Sequence, residues 1–276
     1  MNPQTAAALS SLPSLPDWAS RLCHRILTGR LTATDRLWER PEEVLTRAGI
    51  QADPWQKALL RSTSRRHIIL ASRQTGKSTT SAGLALKKAL LEDGSRVLLL
   101  SPTQRQSGEL FRKVMDLYNA LGRPVRSVRS SALQIELVNG SRIISLPGVE
   151  ATVRSFSAVA LIIIDEAARV SDDLYKAVRP MLAVSGGTLV AVSSAYAKLG
   201  WFYDGWQTGM EWERTKVTAE ECPRISREFL AEERRVLGSR WYAMEYEGVF
   251  ADAIDAVFRA EDVEAALDNE LEPLFG

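Results

Sequence analysis

The sequence has little cysteine: two residues in 276, Cys23 and Cys222. They stand far apart and neither belongs to a spaced pair of the metal-binding kind. This argues against a disulfide framework or a zinc site and points to reduced thiols in a cytosolic setting. No run of about 18 apolar residues occurs, so no segment reads as a membrane-spanning helix. The opening residues, MNPQTAAALSSLPSLPDW, lack a basic leader followed by an apolar stretch, which is not the pattern of a secretory signal. An excess of charge is missing too: 35 Lys and Arg against 34 Asp and Glu leave a formal net charge of +1. A protein that holds nucleic acid tightly by itself usually shows a clear basic excess. One that grips and releases it, or works as one subunit of a ring, needs none, so the balance neither supports nor excludes such a partner. Internal repeats are absent, and low complexity is confined to the Ser/Pro-rich first 16 residues, which read as mobile.

What is present is the composition of an ordinary globular protein, 45% hydrophobic and 25% charged, in a chain long enough to bury a core. Residues 17 to 48 carry helix-like spacing broken at Pro41. Beyond them, strands and helices alternate. Arg66–Ala71, Arg96–Ser101, Ala160–Ile164 and Thr188–Val192 are short apolar runs of buried-strand type. Helical segments follow at about Lys77–Leu91, Gln104–Leu121 and Asp172–Leu182. Leu133–Val138 and Ser141–Leu146 alternate in polarity and flank Asn139-Gly140, a dipeptide that favours a type I′ hairpin turn. Past about Glu211 the pattern becomes a short strand near Thr215 and then charged helices from Ser226 to Leu237 and from Ser239 onward.

This alternation predicts an α/β fold, a mostly parallel sheet with helices on both faces. With the motifs below it reads as a P-loop NTPase of RecA/ASCE-like type with a small C-terminal helical lid. The expected divisions are a helical lead-in over 1–48, an ATPase core over 49–210, and a lid with a linker over 211–276.

Two motifs carry the chemistry. Ala71-Ser-Arg-Gln-Thr-Gly-Lys77-Ser78 fits the phosphate-binding pattern G-x-x-x-x-G-K-[ST], with Ala71 at the first glycine position. Backbone N–H groups of Ser72, Arg73, Gln74, Thr75 and Gly76 and of the helix start at Ser78 and Thr79 can surround phosphates. Lys77 neutralises them, and the Ser78 hydroxyl suits Mg²⁺. Ala160-Leu-Ile-Ile-Ile-Asp165-Glu166 is an apolar strand ending in two carboxylates, where parallel sheets bind ligands. Asp165 is placed to hold Mg²⁺ and Glu166 to polarise the attacking water. Alone, such acids could belong to a helix N-terminus, where they are favoured anyway. Together the two motifs imply ATP hydrolysis.

Upstream, Asp53-Pro-Trp55-Gln56 has the look of an adenine-recognition segment. The Gln56 amide offers one donor and one acceptor, and Trp55 could stack nearby or simply pack. After the strand at 188–192, Ser193, Ser194 and Ala195 place small hydroxyls where loss of the γ-phosphate could be felt, although serines after a strand are ordinarily loop residues.

In order along the chain, Pro54-Trp-Gln56, Ser72-Arg-Gln-Thr-Gly-Lys-Ser78, Leu137-Val-Asn-Gly-Ser-Arg142, Ala151-Thr-Val-Arg154, Ile164-Asp-Glu-Ala167, Ser193-Ser-Ala195, Gly200-Trp-Phe-Tyr-Asp204 and Glu245-Tyr-Glu-Gly-Val-Phe250 resemble the terminase large subunits of tailed phages and prophages. The resemblance implies an ATP- and Mg²⁺-dependent motor subunit that moves double-stranded DNA into a procapsid. Its implied partners are a portal protein, a small terminase subunit and copies of itself in a ring; alone in solution it is expected to be a monomer. It further implies a γ-phosphate contact for Arg73 and an arginine supplied across the ring by Arg154 or Arg142, with a surface role the alternative for Arg142. Ser193, Ser194 and Ala195 match the coupling motif, and the setting implied is a host bacterium's cytoplasm. These proteins normally continue into an RNase H-like nuclease domain, and this sequence stops about where that would begin, so no nuclease activity is expected. Two other readings compete: a helicase-like translocase, which needs a second RecA-like domain for which there is no room after residue 210, and an assembly scaffold that binds ATP without turnover, against which Lys77 and Glu166 argue.

Overall fold

In the computed structural model, which describes residues 33–148, 153 and 156–252, eight strands form one sheet. They are β1 (Arg66–Ala71), β2 (Arg96–Ser101), β3 (Ser127–Ser130), β4 (Gln134–Leu137), β5 (Arg142–Pro147), β6 (Leu161–Asp165), β7 (Thr188–Ser193) and β8 (Glu213–Val217). Their spatial order is β3-β4-β5-β2-β6-β7-β1-β8. The pairs β6–β7, β1–β7 and β1–β8 are parallel, while β3–β4 and β4–β5 are antiparallel. β1, β2, β6 and β7 are buried along nearly their whole length, as apolar β-branched runs are when both faces of a strand are covered. The α/β fold expected from the alternation is the one observed.

Among the described residues the helices are α1 (Ala33–Glu39), α2 (Glu43–Thr46), α3 (Pro54–Arg61), α4 (Lys77–Leu91), α5 (Gln104–Ala120), α6 (Asp172–Val178), α7 (Gly200–Gln207) and α8 (Arg227–Tyr242). The described residues group into two compact units, one comprising 33–63, 78–98 and 108–145, the other 64–77, 99–107 and the described residues between 146 and 252.

In the first unit, Val44 and Leu45 of α2 pack at Gly83 of α4, reaching 3.1 Å from where a Cβ would stand there. The β4–β5 hairpin forms with Gln134 opposite Ile144 and Glu136 opposite Arg142, but its turn is not type I′. That turn needs positive φ at both central residues. Here Gly140 has φ 80° and Asn139 is not among the positive-φ residues. The Leu137 carbonyl accepts from Gly140 N at 2.9 Å, and Leu137 N donates to the Ser141 carbonyl at 2.9 Å. The connection is therefore a three-residue loop with glycine at its left-handed position, and Asn139 serves instead as an anchor, its side-chain N donating to the Ala89 carbonyl at 3.0 Å.

In the second unit, β8 is the short strand read near Thr215, within the span 211–276 expected to form the lid and linker. β8 pairs in parallel with β1 from His67↔Glu213 to Ala71↔Val217, so the sheet extends past residue 210. Its sequence, ERTKV, buries only Val217. Charged side chains on an edge strand discourage pairing with another chain. After β8, Ser226 caps α8 by accepting from Phe229 N at 3.1 Å. Gly238, at φ 73° and ψ 164°, kinks the helix, in the break the sequence placed between Leu237 and Ser239. Ala219, Leu230, Tyr242 and Tyr246 form a small core beneath it.

Residues 1–32, including Cys23, and residues 253–276 lie outside the described residues, as does Arg154. Gly187 gives a test of the second unit's packing. A Cβ there would sit 2.2 Å from the Val159 carbonyl oxygen and 2.8 Å from Leu182 Cδ2. Gly187→Ala is expected to cost at least about 1–3 kcal/mol, the usual range for overpacking, with the backbone carbonyl unable to yield as a side chain would. Urea melts with an unchanged midpoint would contradict this packing.

Candidate active site

β1 ends in Ala71, paired with Val217 in the sheet and outside the left-handed region, so no glycine is demanded where the phosphate-loop pattern has one. The chain then curls. Gln74 (φ 63°) and Gly76 (φ 91°) take left-handed conformations, and alternation of this kind turns successive N–H groups toward one concave point, an anion cradle. Thr75 Oγ1 donates to the Ser72 carbonyl at 2.8 Å, and Lys77 Nζ donates to the carbonyls of Ala71 at 2.9 Å and Ser72 at 3.0 Å. Lys77 is 8% exposed. Burial pushes its ammonium below the ordinary lysine range, opposed by the negative charges of Glu166, Asp165 and Glu245, while Arg73 adds to the depression.

Those carboxylates arrive from two directions. β6 delivers Asp165, which is 7% exposed, and Glu166 follows in a left-handed conformation (φ 52°, ψ 43°), its N–H on Asp165 Oδ1 at 3.2 Å. For a non-glycine residue this conformation costs on the order of 1 kcal/mol. Parallel pairing sets Asp165 opposite Val192, so the next residue on each strand meets: Ser193 Oγ lies 3.5 Å from Glu166 Oε2. Ser193, Ser194 and Ala195 are all buried.

Glu245 comes from the C-terminal segment, and the sequence reading gave it no role. Its Oε2 accepts from Arg73 Nε at 2.8 Å, and its carbonyl accepts from Arg73 N at 3.1 Å. Ser72 Oγ donates to the Tyr246 carbonyl at 2.7 Å. Tyr246 is fixed in turn by its hydroxyl on Glu233 at 2.7 Å; burial and that carboxylate raise its pKa to about 12. The signal available was the Glu-Tyr-Glu-Gly run, noted as a resemblance but not as a contact. Arg73, expected at a γ-phosphate, is here engaged with Glu245.

Gln56 is also spoken for. In the first unit its amide oxygen accepts from Asp53 N at 2.8 Å, closing a capping box at the start of α3, and its amide nitrogen donates to Thr80 Oγ1 of α4 at 2.8 Å. At 2% exposure it ties α3 to the helix that follows the phosphate loop. Trp55 is half-buried, with its indole N–H buried and unpartnered. Ser78 and Thr79 sit half-buried in the first turn of α4. Arg142 lies in the hairpin, 3.8 Å from Glu136. The structure thus brings Lys77, Arg73, Asp165, Glu166 and Ser193 together.

Asp165, a carboxylate at the end of β6, and Ser78, a hydroxyl in the first turn of α4, are each oxygen donors of the kind that Mg²⁺ takes beside waters and phosphate oxygens. Among the described residues no group of three or more His, Cys, Asp or Glu side chains could hold a metal by itself.

A family model described as "Terminase large subunit, T4likevirus-type, N-terminal" matches residues 68–265. The terminase large subunit of Thermus phage G20c is 23% identical over 252 residues, covering 78% of this chain and 52% of the relative. The chain therefore spans about half the length of the curated relatives it matches. In structure, the large terminase ATPase domain of Thermus phage P74-26 superposes with a TM-score of 0.67 at 21% identity, over 80% of this chain and 100% of that one. The large terminase of a thermophilic bacteriophage, in complex with ATP-gamma-S, gives 0.56 at 16% identity over 77% and 52%.

The strain at position 166 can be measured. At an ordinary position glycine is less stable than alanine. With the carboxylate removed in both variants, Glu166→Gly is expected to exceed Glu166→Ala by about 1 kcal/mol in denaturant melts; the usual order would deny the left-handed strain.

Proposed function

The chain belongs to the terminase large subunit family, and we propose that it is the ATP-hydrolysing part of a motor that translocates double-stranded DNA into a procapsid. The observation that carries this reading is the convergence of Lys77, Asp165, Glu166 and Ser193 on a loop whose left-handed residues form an anion cradle.

In the proposed reaction the triphosphate takes Lys77 from the carbonyls of Ala71 and Ser72, and its charge restores the ammonium's preference for the protonated form. On the motif pattern Ser78 and Asp165 would hold Mg²⁺, which would supply charge neutralisation to the phosphates. Glu166 orients a water for in-line attack on the γ-phosphorus. The new P–O bond forms as the bond to the bridging β-oxygen breaks, giving ADP and phosphate. Arg73, freed from Glu245, follows the γ-phosphate. An arginine from a neighbouring copy, Arg154 in the resemblance, completes the charge stabilisation.

Coupling runs through Ser193. The strand that carries it leads to α7, where Trp201 N donates to Asp172 Oδ1 at 3.0 Å and the Trp201 indole N–H donates to the Val170 carbonyl at 3.0 Å. Trp201 also stacks on Tyr175 at 4.2 Å. The segment after Glu166 and the segment after Ser193 are therefore tied together through Trp201.

On this reading the working form is a ring on a portal protein, with a small terminase subunit as a further partner, in the host cytoplasm. No helix among the described residues is long and apolar enough to cross a membrane. The helicase reading of the same motifs gives way to family membership. DNA cleavage is not assigned to the described residues.

The test is steady-state ATP hydrolysis by the purified chain and by Glu166→Ala, with and without duplex DNA. Loss of about 10²–10⁴-fold in turnover is expected in the variant, with stimulation by DNA in the parent. Turnover unchanged in Glu166→Ala would overturn the catalytic assignment; ATP binding without turnover in the parent, even with DNA, would favour a scaffold.

A further inference from the structure

Charge is unevenly spread along this nearly neutral chain. Residues 96–148 hold eight Lys and Arg against three Asp and Glu, a net +5 in a chain whose total is +1. Half of those basic residues are Arg123, Arg126, Arg129 and Arg142, on and beside the β3–β4–β5 end of the sheet. Between 117 and 148 the one carboxylate is Glu136.

Local geometry gathers them. Gly122 (φ 75°) and Arg123 (φ 53°) turn the chain after α5, leaving Arg123 exposed with its Nε on Asn119 Oδ1 at 2.9 Å. Arg126 and Arg129 are three residues apart, and in an unbroken strand they would leave opposite faces. β3 is broken by a bulge: Ser127 opposes Leu137, yet Arg129 opposes Glu136, so two residues of β3 face one step of β4. The extra residue shifts the phase of the strand. Ser127 shares the face of buried Leu137, so Arg126 points to the other side; Arg129 shares that other side with Glu136. Arg142 stands opposite Glu136 on the next strand, its Nε 3.8 Å from the carboxylate and without a hydrogen-bond partner. Arg126 and Arg129 are exposed.

The result is a group of guanidinium-bearing residues, Arg126, Arg129 and Arg142, on one side of the β3–β4–β5 edge around the single carboxylate of Glu136, with exposed Arg123 in the preceding turn. Strands sit about 4.8 Å apart, so the array offers charges at intervals of roughly 10 Å or less. Duplex DNA carries one charge per about 1.7 Å of axis. Exposed guanidinium groups suit phosphates rather than base edges or a hydrophobic partner. Resting on the duplex-DNA reading above, we propose that this bulged edge, through Arg123, Arg126 and Arg129, is a surface that grips the phosphate backbone of duplex DNA.

The experiment compares the full chain with the triple variant Arg123→Ser/Arg126→Ser/Arg129→Ser and with a charge-matched control, Arg40→Ser/Arg227→Ser/Arg235→Ser. Binding to a short fluorescein-labelled duplex is followed by anisotropy across a salt series, alongside basal ATP hydrolysis and thermal melts. The triple variant is expected to bind at least about tenfold more weakly at low salt, its log K against log salt slope reduced by about 3. Arg126→Ser alone should reduce the slope by about 1. The control should stay within about twofold, and basal hydrolysis and melting should be unchanged in all. Equal binding by parent and triple variant, or equal loss in the control, overturns this inference and leaves the DNA reading standing. A parent that binds no duplex at any salt overturns both. Loss of affinity for a poly-glutamate probe but not for the duplex would reassign the surface to an acidic protein.

Discussion

A buried ammonium organises the second unit of this chain. Taking the charge of Lys77 out of water costs several kcal/mol unless partners replace the hydration, and the structure supplies two loop carbonyls and the field of three carboxylates. Each partner fixes something else. The carbonyls require the loop to curl back on β1. Asp165 and Glu166 require β6 to end level with that loop, which its parallel pairing with β7, and β7's with β1, secures. Glu245 requires the segment after α8 to return to the loop. The arrangement is one that a polyanion would complete, because a triphosphate offers Lys77 stronger acceptors than two neutral carbonyls do.

Local strain falls on the same place. Among the described residues four non-glycine positions have positive φ, and Gln74 and Glu166 are two of them. The first shapes the cradle, and the second points a carboxylate where Ser193 can reach it. Such conformations persist only where surrounding structure over-determines them. Here that structure is the β6–β7 register on one side and, on the other, the bonds that the Ser72 hydroxyl and the Arg73 N–H donate to the carbonyls of Tyr246 and Glu245. Because Arg73 and Lys77 are both held by protein groups that a nucleotide would replace, the loop and the C-terminal segment are linked through the same few bonds.

Much of this was legible in the residues, for identifiable reasons. Buried parallel strands are continuous apolar runs, so β1, β2, β6 and β7 could be read, and the glycine-lysine-serine turn between a strand and a helix is a rigid chemical requirement. Gly238 was visible as a break in α8. Three things were not. β8 was read as a short strand, but its place beside β1 was not, because the pairing of a charged edge strand is decided by its neighbour and not by its own pattern. The Asn139-Gly140 turn was assigned by dipeptide preference, but Asn139 is held by the Ala89 carbonyl, and that tertiary bond overrode it. Gln56 and Glu245 act through partners distant in sequence, Thr80 and Arg73, and no local spacing announces such pairs.

On this reading Lys77 is the counter-charge of a bound triphosphate. Calorimetric titration of the purified chain and of Lys77→Met with a slowly hydrolysed ATP analogue and Mg²⁺ tests it most directly. The parent is expected to bind and the variant to lose at least about a hundredfold in affinity, in keeping with a charge-assisted bond made in a buried site, with circular dichroism unchanged. Equal affinity in the two proteins would show that the loop holds nucleotide without this charge, and would contradict it.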